Sequence, residues 1–418
     1  MGNGTSNGRP AEDGAPSPTS DAAGSSNRRK PAAGTAPGSR RKRNSVAGEA
    51  VGNIDGKGAV DKNFVGTENA SMLEYGYESA IKPGFDPEDE SESKECQDEC
   101  LVQQVFLNDQ SKSLVCVFDG HGMHGQKVAS WLTRNFEKVF EGCHRSIPDT
   151  EPQKIKKTFE LAMQKCEDCV AEEYEGAVYS GSTATAIMFD GETAHVAWCG
   201  DSRAVVARQE AGSTKKKAIE LSHDHKPENP EELKRITEAG GVVQQVEKCD
   251  DDSPMRVFSK DMLDRGRWAP GLAMSRSIGD MLATSLGCWA HPDYTAHKLS
   301  PDDQFVVVAS DGLWEVFEND EAVQWISEYV AMHKDKTGHF PGHSKKSTAK
   351  SASQAIAEEA QLRWIREFNE EVVVDDTSVV IVWLKRISGM AKNILKVDHK
   401  ALPHRQRRSS VEGKIPGL

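Results

Sequence analysis

The sequence has no apolar run approaching the roughly 20 residues needed to cross a bilayer as a helix, so a membrane span of that kind is not expected. It shows no secretory leader ahead of its nine cysteines, which stand singly or in close pairs. Reduced thiols in a cytosolic or nuclear compartment are therefore expected rather than a disulfide framework. None of the cysteines begins a Cys-x-x-x-x-x-Arg loop, and no Gly-x-x-x-x-Gly-Lys-Ser/Thr loop is present. Thiol-based phosphate chemistry and a nucleotide-cradling loop are both disfavoured. Positive charge is also short: the net charge is −13, which argues against nucleic acid as a partner of the whole molecule. No internal repeat is visible.

What is present divides into three parts. Residues 1–58 are rich in Gly, Ala, Ser, Pro and Asn and read as a disordered tail that is basic, with Arg40, Arg41, Lys42 and Arg43 its densest cluster. A second basic tail, 388–418, ends in Arg405, Arg407 and Arg408. Between them, 59–387 alternates short Val-rich runs with amphipathic stretches. The expected strands are Leu114 to Phe118, Ala194 to Cys199, Ala204 to Ala207, Phe305 to Ala309, Val372 to Val374 and Val379 to Trp383. Val128, Trp131, Leu132, Phe136, Val139 and Phe140 form one helical stripe, with Lys127, Arg134 and Glu137 outside it. A second helix is expected to start at Asn229 as N-cap, with Pro230 next and Glu232 closing the cap, and to stop at Gly240-Gly241. Later stripes at Ala322, Val323, Ile326 and Val330, and at Ile356, Ala360 and Trp364, predict two more, separated by an exposed loop over 334–353. Such a mixture predicts an α+β domain. Cys166 and Cys169 have zinc-like spacing but fall in a helical pattern without a second pair, and read as structural.

Three aspartates stand at the ends of apolar strands. Asp119-Gly120 follows Leu-Val-Cys-Val-Phe, Asp311-Gly312 follows Phe-Val-Val-Val-Ala-Ser, and Asp375-Asp376 lies between Val-Val-Val and Val-Val-Ile-Val. A carboxylate at a strand end is rigidly held yet faces outward, and several converging would offer hard oxygen ligands to Mg²⁺ or Mn²⁺. One Asp-Gly alone more often simply turns the chain.

These runs belong to an ordered set: Val117-Phe118-Asp119-Gly120-His121-Gly122, Ser180-Gly181-Ser182-Thr183-Ala184, Gly200-Asp201-Ser202-Arg203-Ala204-Val205, the segment from Pro270 to Asp280, Ser310-Asp311-Gly312-Leu313-Trp314 and Asp375-Asp376-Thr377-Ser378-Val379. In order and spacing the set resembles the metal-dependent protein phosphatases of type 2C, from about residue 70 to 387. The resemblance implies a central β-sandwich of two antiparallel sheets, helices on both outer faces, and a two-metal centre at one edge. It implies a serine/threonine phosphatase acting on phosphoprotein substrates, in which a water activated by two Mg²⁺ or Mn²⁺ ions attacks phosphorus in line. Asp119 would bridge both ions, the Gly120 carbonyl would bind one, and Asp311 and Asp375 the other. His121 matches the general acid. Asp201 matches a ligand of a weaker third ion, although it also reads as a turn aspartate paired with Arg203.

The pattern departs from the family at its first motif. Cys96-Gln97-Asp98 stands where Glu-Asp or Asn-Gln-Asp is usual, so only Asp98 is assigned, as a carboxylate orienting the attacking water. An arginine that clamps phosphate in many relatives is missing, and Lys94, within an acidic run, is the nearest cation to replace it. These departures keep open a catalytically weak or inactive phosphatase-fold protein that binds phosphoproteins as a membrane-tethered module. Met1-Gly2-Asn3-Gly4-Thr5-Ser6 fits the pattern for N-myristoylation, and Arg40–Arg43 could supply the second membrane signal at an inner leaflet. The same cluster fits a nuclear address. The expected location is cytoplasmic, membrane-associated if acylated, and the expected state is a monomer.

Overall fold

The structure is a computed structural model that describes residues 72–85, 95–246, 253–333, 350–368 and 373–387. Both basic tails, residues 334–349 of the expected loop, and Lys94 lie outside the described residues.

The chain opens with strands β1 (Met72–Lys82), β2 (Asp98–Gln103) and β3 (Lys112–His121), followed by helices α1 (Gly125–Ser146) and α2 (Lys154–Glu173). Strands β4 (Gly181–Ser182), β5 (Ala184–Asp190), β6 (Thr193–Cys199), β7 (Arg203–Gln209) and β8 (Lys216–Glu220) come next. Helix α3 (Pro230–Glu238) leads to β9 (Gly241–Gln244), β10 (Arg256–Ser259), α4 (Lys260–Asp264), β11 (Pro270–Leu272), β12 (Ile278–Gly279) and α5 (Met281–Thr284). The chain closes with β13 (Asp293–Lys298), β14 (Asp303–Ala309), α6 (Asp311–Trp314), α7 (Asn319–His333), α8 (Ala352–Glu367) and β15 (Thr377–Ile387).

One antiparallel sheet runs β1-β15-β14-β7-β8. The other runs β12-β4-β3-β5-β6-β13, with β2 also paired to β3. A small sheet, β11-β10-β9, stands apart from both. Strand alternation explains how these layers stack. On β3, Leu114, Cys116 and Phe118 join a core with the α1 stripe of Val128, Leu132, Phe136 and Phe140. Val115 and Val117, on the opposite face, pack between the sheets with Val306, Val308, Val380 and Val382. The odd-numbered face of β14 (Phe305, Val307, Ala309) then meets α7 and α8 through Val323, Ile326 and Ile356. The result is the expected four-layer α-β-β-α sandwich. Because the central strands are covered on both faces, they read as continuous Val-rich runs.

Some local expectations change. Val374 forms only an isolated bridge to Phe85 rather than part of a strand. Asn229 does precede α3, but its side chain donates to the Asp224 carbonyl at 2.9 Å instead of capping the helix. Glu232 is drawn away from the cap by Arg235, Arg276 and Ser275. Helix α8 begins at Ala352, inside the expected 334–353 loop, because Ser351 and Gln354 form a reciprocal capping box. No disulfide joins the described cysteines, and Cys166 and Cys169 are buried against α1 and β3.

Candidate active site

The period of two along each strand decides where the carboxylates point. Val115 and Val117 face the space between the sheets, so Asp119, two residues on, emerges at its rim. Asp98 is paired directly opposite Asp119 in the β2–β3 register. Its Oδ2 accepts a 2.8 Å hydrogen bond from the Ser310 hydroxyl, which in turn accepts the Ser378 amide at 2.9 Å. One buried serine thus joins strand ends from both sheets. Thr183 closes the other side: its amide donates to the Asp119 carbonyl at 2.8 Å, and its hydroxyl meets that of Ser202 at 2.7 Å, next to Asp201.

Two glycines permit the close approach. A Cβ on Gly120 would lie 2.6 Å from the Gly125 carbonyl oxygen, and one on Gly312 would lie 2.0 Å from that of Asp376. The second contact seats Asp311, at the start of α6, beside the Asp375-Asp376 corner. Asp376 is committed elsewhere, accepting the amides of Gly84 at 2.6 Å and Gln97 at 2.9 Å. That leaves Asp375, half-buried, as the rim carboxylate of the pair.

The electrostatics record the crowding. Burial, followed by the fields of Asp98, Asp311, Asp375 and Asp201, raises Asp119 well above the ordinary carboxylate range. Burial and then Asp201 and Asp375 do the same for Asp311, against the pull of Lys226. Asp98 is pushed up to about 7, chiefly by burial, with Asp376 and Asp375 adding to it and the Ser310 hydrogen bond opposing. Carboxylates that raise one another in this way favour a divalent cation among them. Asp311 and Asp201 each also keep one buried oxygen, Oδ1, without a hydrogen-bond partner. Hard oxygens, like charge and unpaired lone pairs suit Mg²⁺ or Mn²⁺, although among the described residues no three His, Cys, Asp or Glu side chains form a ready-made cage.

His121 ends β3 and turns toward Asp280, its Nε2 lying 2.5 Å from Asp280 Oδ2, which also accepts the Ser277 hydroxyl at 2.6 Å. Burial opposes a charge on this imidazole, but the Asp280 carboxylate outweighs it and the pKa is raised.

A family model for protein phosphatase 2C matches residues 86–364. The chain belongs to the protein phosphatase 2C family. This phosphatase is 30% identical over 305 residues to a probable protein phosphatase 2C 48 of Oryza sativa subsp. japonica, covering 69% of this chain and 79% of the relative. It is 31% identical over 311 residues to a probable protein phosphatase 2C 73 of Arabidopsis thaliana, covering 69% and 75%. Among solved structures, a serine-threonine phosphatase 2C from Toxoplasma gondii superposes with a TM-score of 0.58 at 19% identity, over 76% of this chain and 96% of that one. The phosphatase is accordingly a serine/threonine protein phosphatase of a metal-dependent family, acting on phosphoproteins.

Within it, the fold gathers Asp98, Asp119, Gly120, His121, Asp201, Asp311 and Asp375 at one end of the sandwich. Asp201 does not pair with Arg203, as one reading of the sequence has it. Arg203 is taken by Asp224 through two hydrogen bonds of 2.8 and 2.7 Å, while Asp201 Oδ2 receives Lys226 Nζ at 2.7 Å. Sequence reasoning assigned no role to Gln97, Lys226, Asp280 or Ser310. Gln97 serves as a tie, its side-chain amide donating to the Gly122 carbonyl at 2.9 Å and joining the start of β2 to the turn after His121. Asp280 and Ser310 stand within motifs of the ordered set, but their partners His121 and Asp98 lie far off in sequence.

Proposed function

We propose that this phosphatase hydrolyses phosphoserine and phosphothreonine with two divalent cations held by Asp119, the Gly120 carbonyl, Asp311 and Asp375. The observation that carries the reading is the mutual electrostatic pressure among carboxylates contributed by both sheets at one rim. Bound there, Mg²⁺ or Mn²⁺ would supply an activated water and offset phosphoryl charge. Asp98, whose Oδ2 accepts the Ser310 hydroxyl, would orient that water. His121, steadied by Asp280, donates the proton that the departing serine or threonine oxygen needs. Asp201 is the candidate ligand of a weaker third ion, which must compete with the Lys226 ammonium. Lys94 remains the candidate phosphate cation. Gly2 acylation with the Arg40–Arg43 cluster is proposed as the membrane attachment, which a Gly2→Ala variant would release into the soluble fraction.

Release of phosphate from a phosphothreonine peptide tests the core of this reading. Turnover should require Mg²⁺ or Mn²⁺, stop with chelator, and survive thiol alkylation. Robust turnover in chelator would reject it.

A further inference from the structure

A groove of about 450 Å³ runs along the seam between α1 and the outer side of β2. Glu99, Gln126, Lys127, Ser130, Arg134 and Tyr174 line it. It begins where the active site ends: Glu99 follows Asp98, Gln126 follows Gly125, and Gln97 bridges the two through Gly122. Its one described acid on β2 is engaged, since Glu99 accepts the Ser130 hydroxyl at 2.8 Å, with Gln126 on the far side of that hydroxyl at 3.0 Å. Its cations are not engaged by acids. Lys127 and Arg134 are exposed, and neither joins an ion pair among the described residues; the Arg134 Nε–H goes to the Ser130 carbonyl at 2.9 Å. In a chain of net charge −13, two unpaired cations beside the catalytic rim create a local field opposite to that of the molecule.

Resting on the phosphoprotein reading above, we propose that this groove binds an acidic stretch of the substrate, with Lys127 and Arg134 each reading one carboxylate. Helix geometry sets the spacing. Seven residues apart, the two cations share a helix face and stand about 10 Å apart. A peptide in the polyproline II conformation, with three residues per turn and about 3.1 Å of rise per residue, sets side chains three positions apart on one side and about 9 Å from each other. The substrate therefore carries two Asp or Glu residues three positions apart, on the side of the phosphoresidue that leaves the rim along α1. Two single cations so far apart suit separate carboxylates better than one further phosphate, which would draw donors together.

The test uses the full chain and phosphothreonine peptides of one core sequence. One series carries two Glu residues three positions apart on either flank, a second has Gln at those positions, and a third has a second phosphoserine instead. Wild type should favour one acidic peptide over its Gln counterpart about tenfold in kcat/KM, through KM. The K127E/R134E double variant should lose that preference while turning over the Gln peptide at the wild-type rate. No wild-type preference for either acidic peptide would overturn the proposal, as would preference for the doubly phosphorylated peptide alone. An equal loss on all peptides would overturn it by placing the cations in the chemistry. An equal gain would also overturn it, assigning the groove to the chain's own acidic run at 86–95. If no peptide were turned over, the phosphatase reading would fail separately, and anisotropy with labelled acidic and Gln peptides would still decide the groove.

Discussion

Exchanging the Asp119 carboxylate for an amide removes one charge and changes almost nothing in shape, which makes Asp119→Asn the sharpest test of the centre. Turnover on a phosphothreonine peptide should fall by at least about 10³-fold with the fold intact. Asp280 acts at one remove, through His121, so its removal has a different signature. Asp280→Asn keeps the Ser277 hydrogen bond but loses the carboxylate that steadies the imidazole. We expect kcat on phosphothreonine to fall about 10–100-fold with KM nearly constant. An aryl phosphate, whose leaving group departs without a proton, should show little loss. An equal deficit on both substrates would deny Asp280 this positioning role. At this scale the motifs of the sequence single out Asp119, Asp311 and Asp375, and the fold brings all three to one rim. His121 and Asp98 are named there too, but their partners are not: Asp280 lies 159 positions from His121, and Ser310 212 from Asp98.

Elements are joined by two buried glutamates with opposite behaviour. Glu232 on α3 faces two guanidiniums; burial alone would raise it, but Arg235 and Arg276 hold it down at about 2. It therefore stabilises the fold above its ordinary value of 4.5, a contribution lost as pH falls toward 2. Glu167 on α2 meets only neutral donors, the Gly279 amide at 2.6 Å and the Thr284 hydroxyl at 3.2 Å, and burial pushes it up to about 7. The folded state then holds a proton that the unfolded chain has released, so stability falls as pH rises from 4.5 to 7. Glu167→Gln keeps an acceptor for Gly279 without the charge. Relative to wild type, it should gain stability between pH 5 and pH 8, by on the order of 2–3 kcal/mol in denaturant titrations. An unchanged difference across that range would contradict the burial argument. Which elements were legible follows the same logic of environment. Fully buried strands such as β14 announce themselves by unbroken Val runs. Strands β1 and β2 do not, because Glu78 on β1 and Asp98 and Glu99 on β2 are acids that take hydrogen bonds from partners distant in sequence. The apolar stripe of α8 marks the helix, but its start lies in a polar stretch, where the Ser351–Gln354 capping box fixes it.

At the scale of the molecule, a sandwich brings strand ends together whatever their order in the chain. β14 lies between β15 and β7, and β3 carries β2 on one side and β5 on the other, so Asp98, Asp119, Asp311 and Asp375 meet through pairings that no local pattern contains. The same convergence should weaken the fold. Carboxylates that raise one another repel at neutral pH, and only a cation or the loss of a charge relieves them. Two opposite responses follow from Asp119→Asn. Without divalent metal, the variant should melt higher than wild type, by the equivalent of about 1 kcal/mol. With Mn²⁺ at 100 times its dissociation constant, wild type should gain about 2.7 kcal/mol and overtake a variant that responds weakly. Melting curves with and without Mn²⁺ check both halves. A wild-type midpoint indifferent to Mn²⁺ and Mg²⁺ would leave the crowded carboxylates unexplained, whereas the predicted crossing of the two proteins would tie the cost in stability to the proposed metal site.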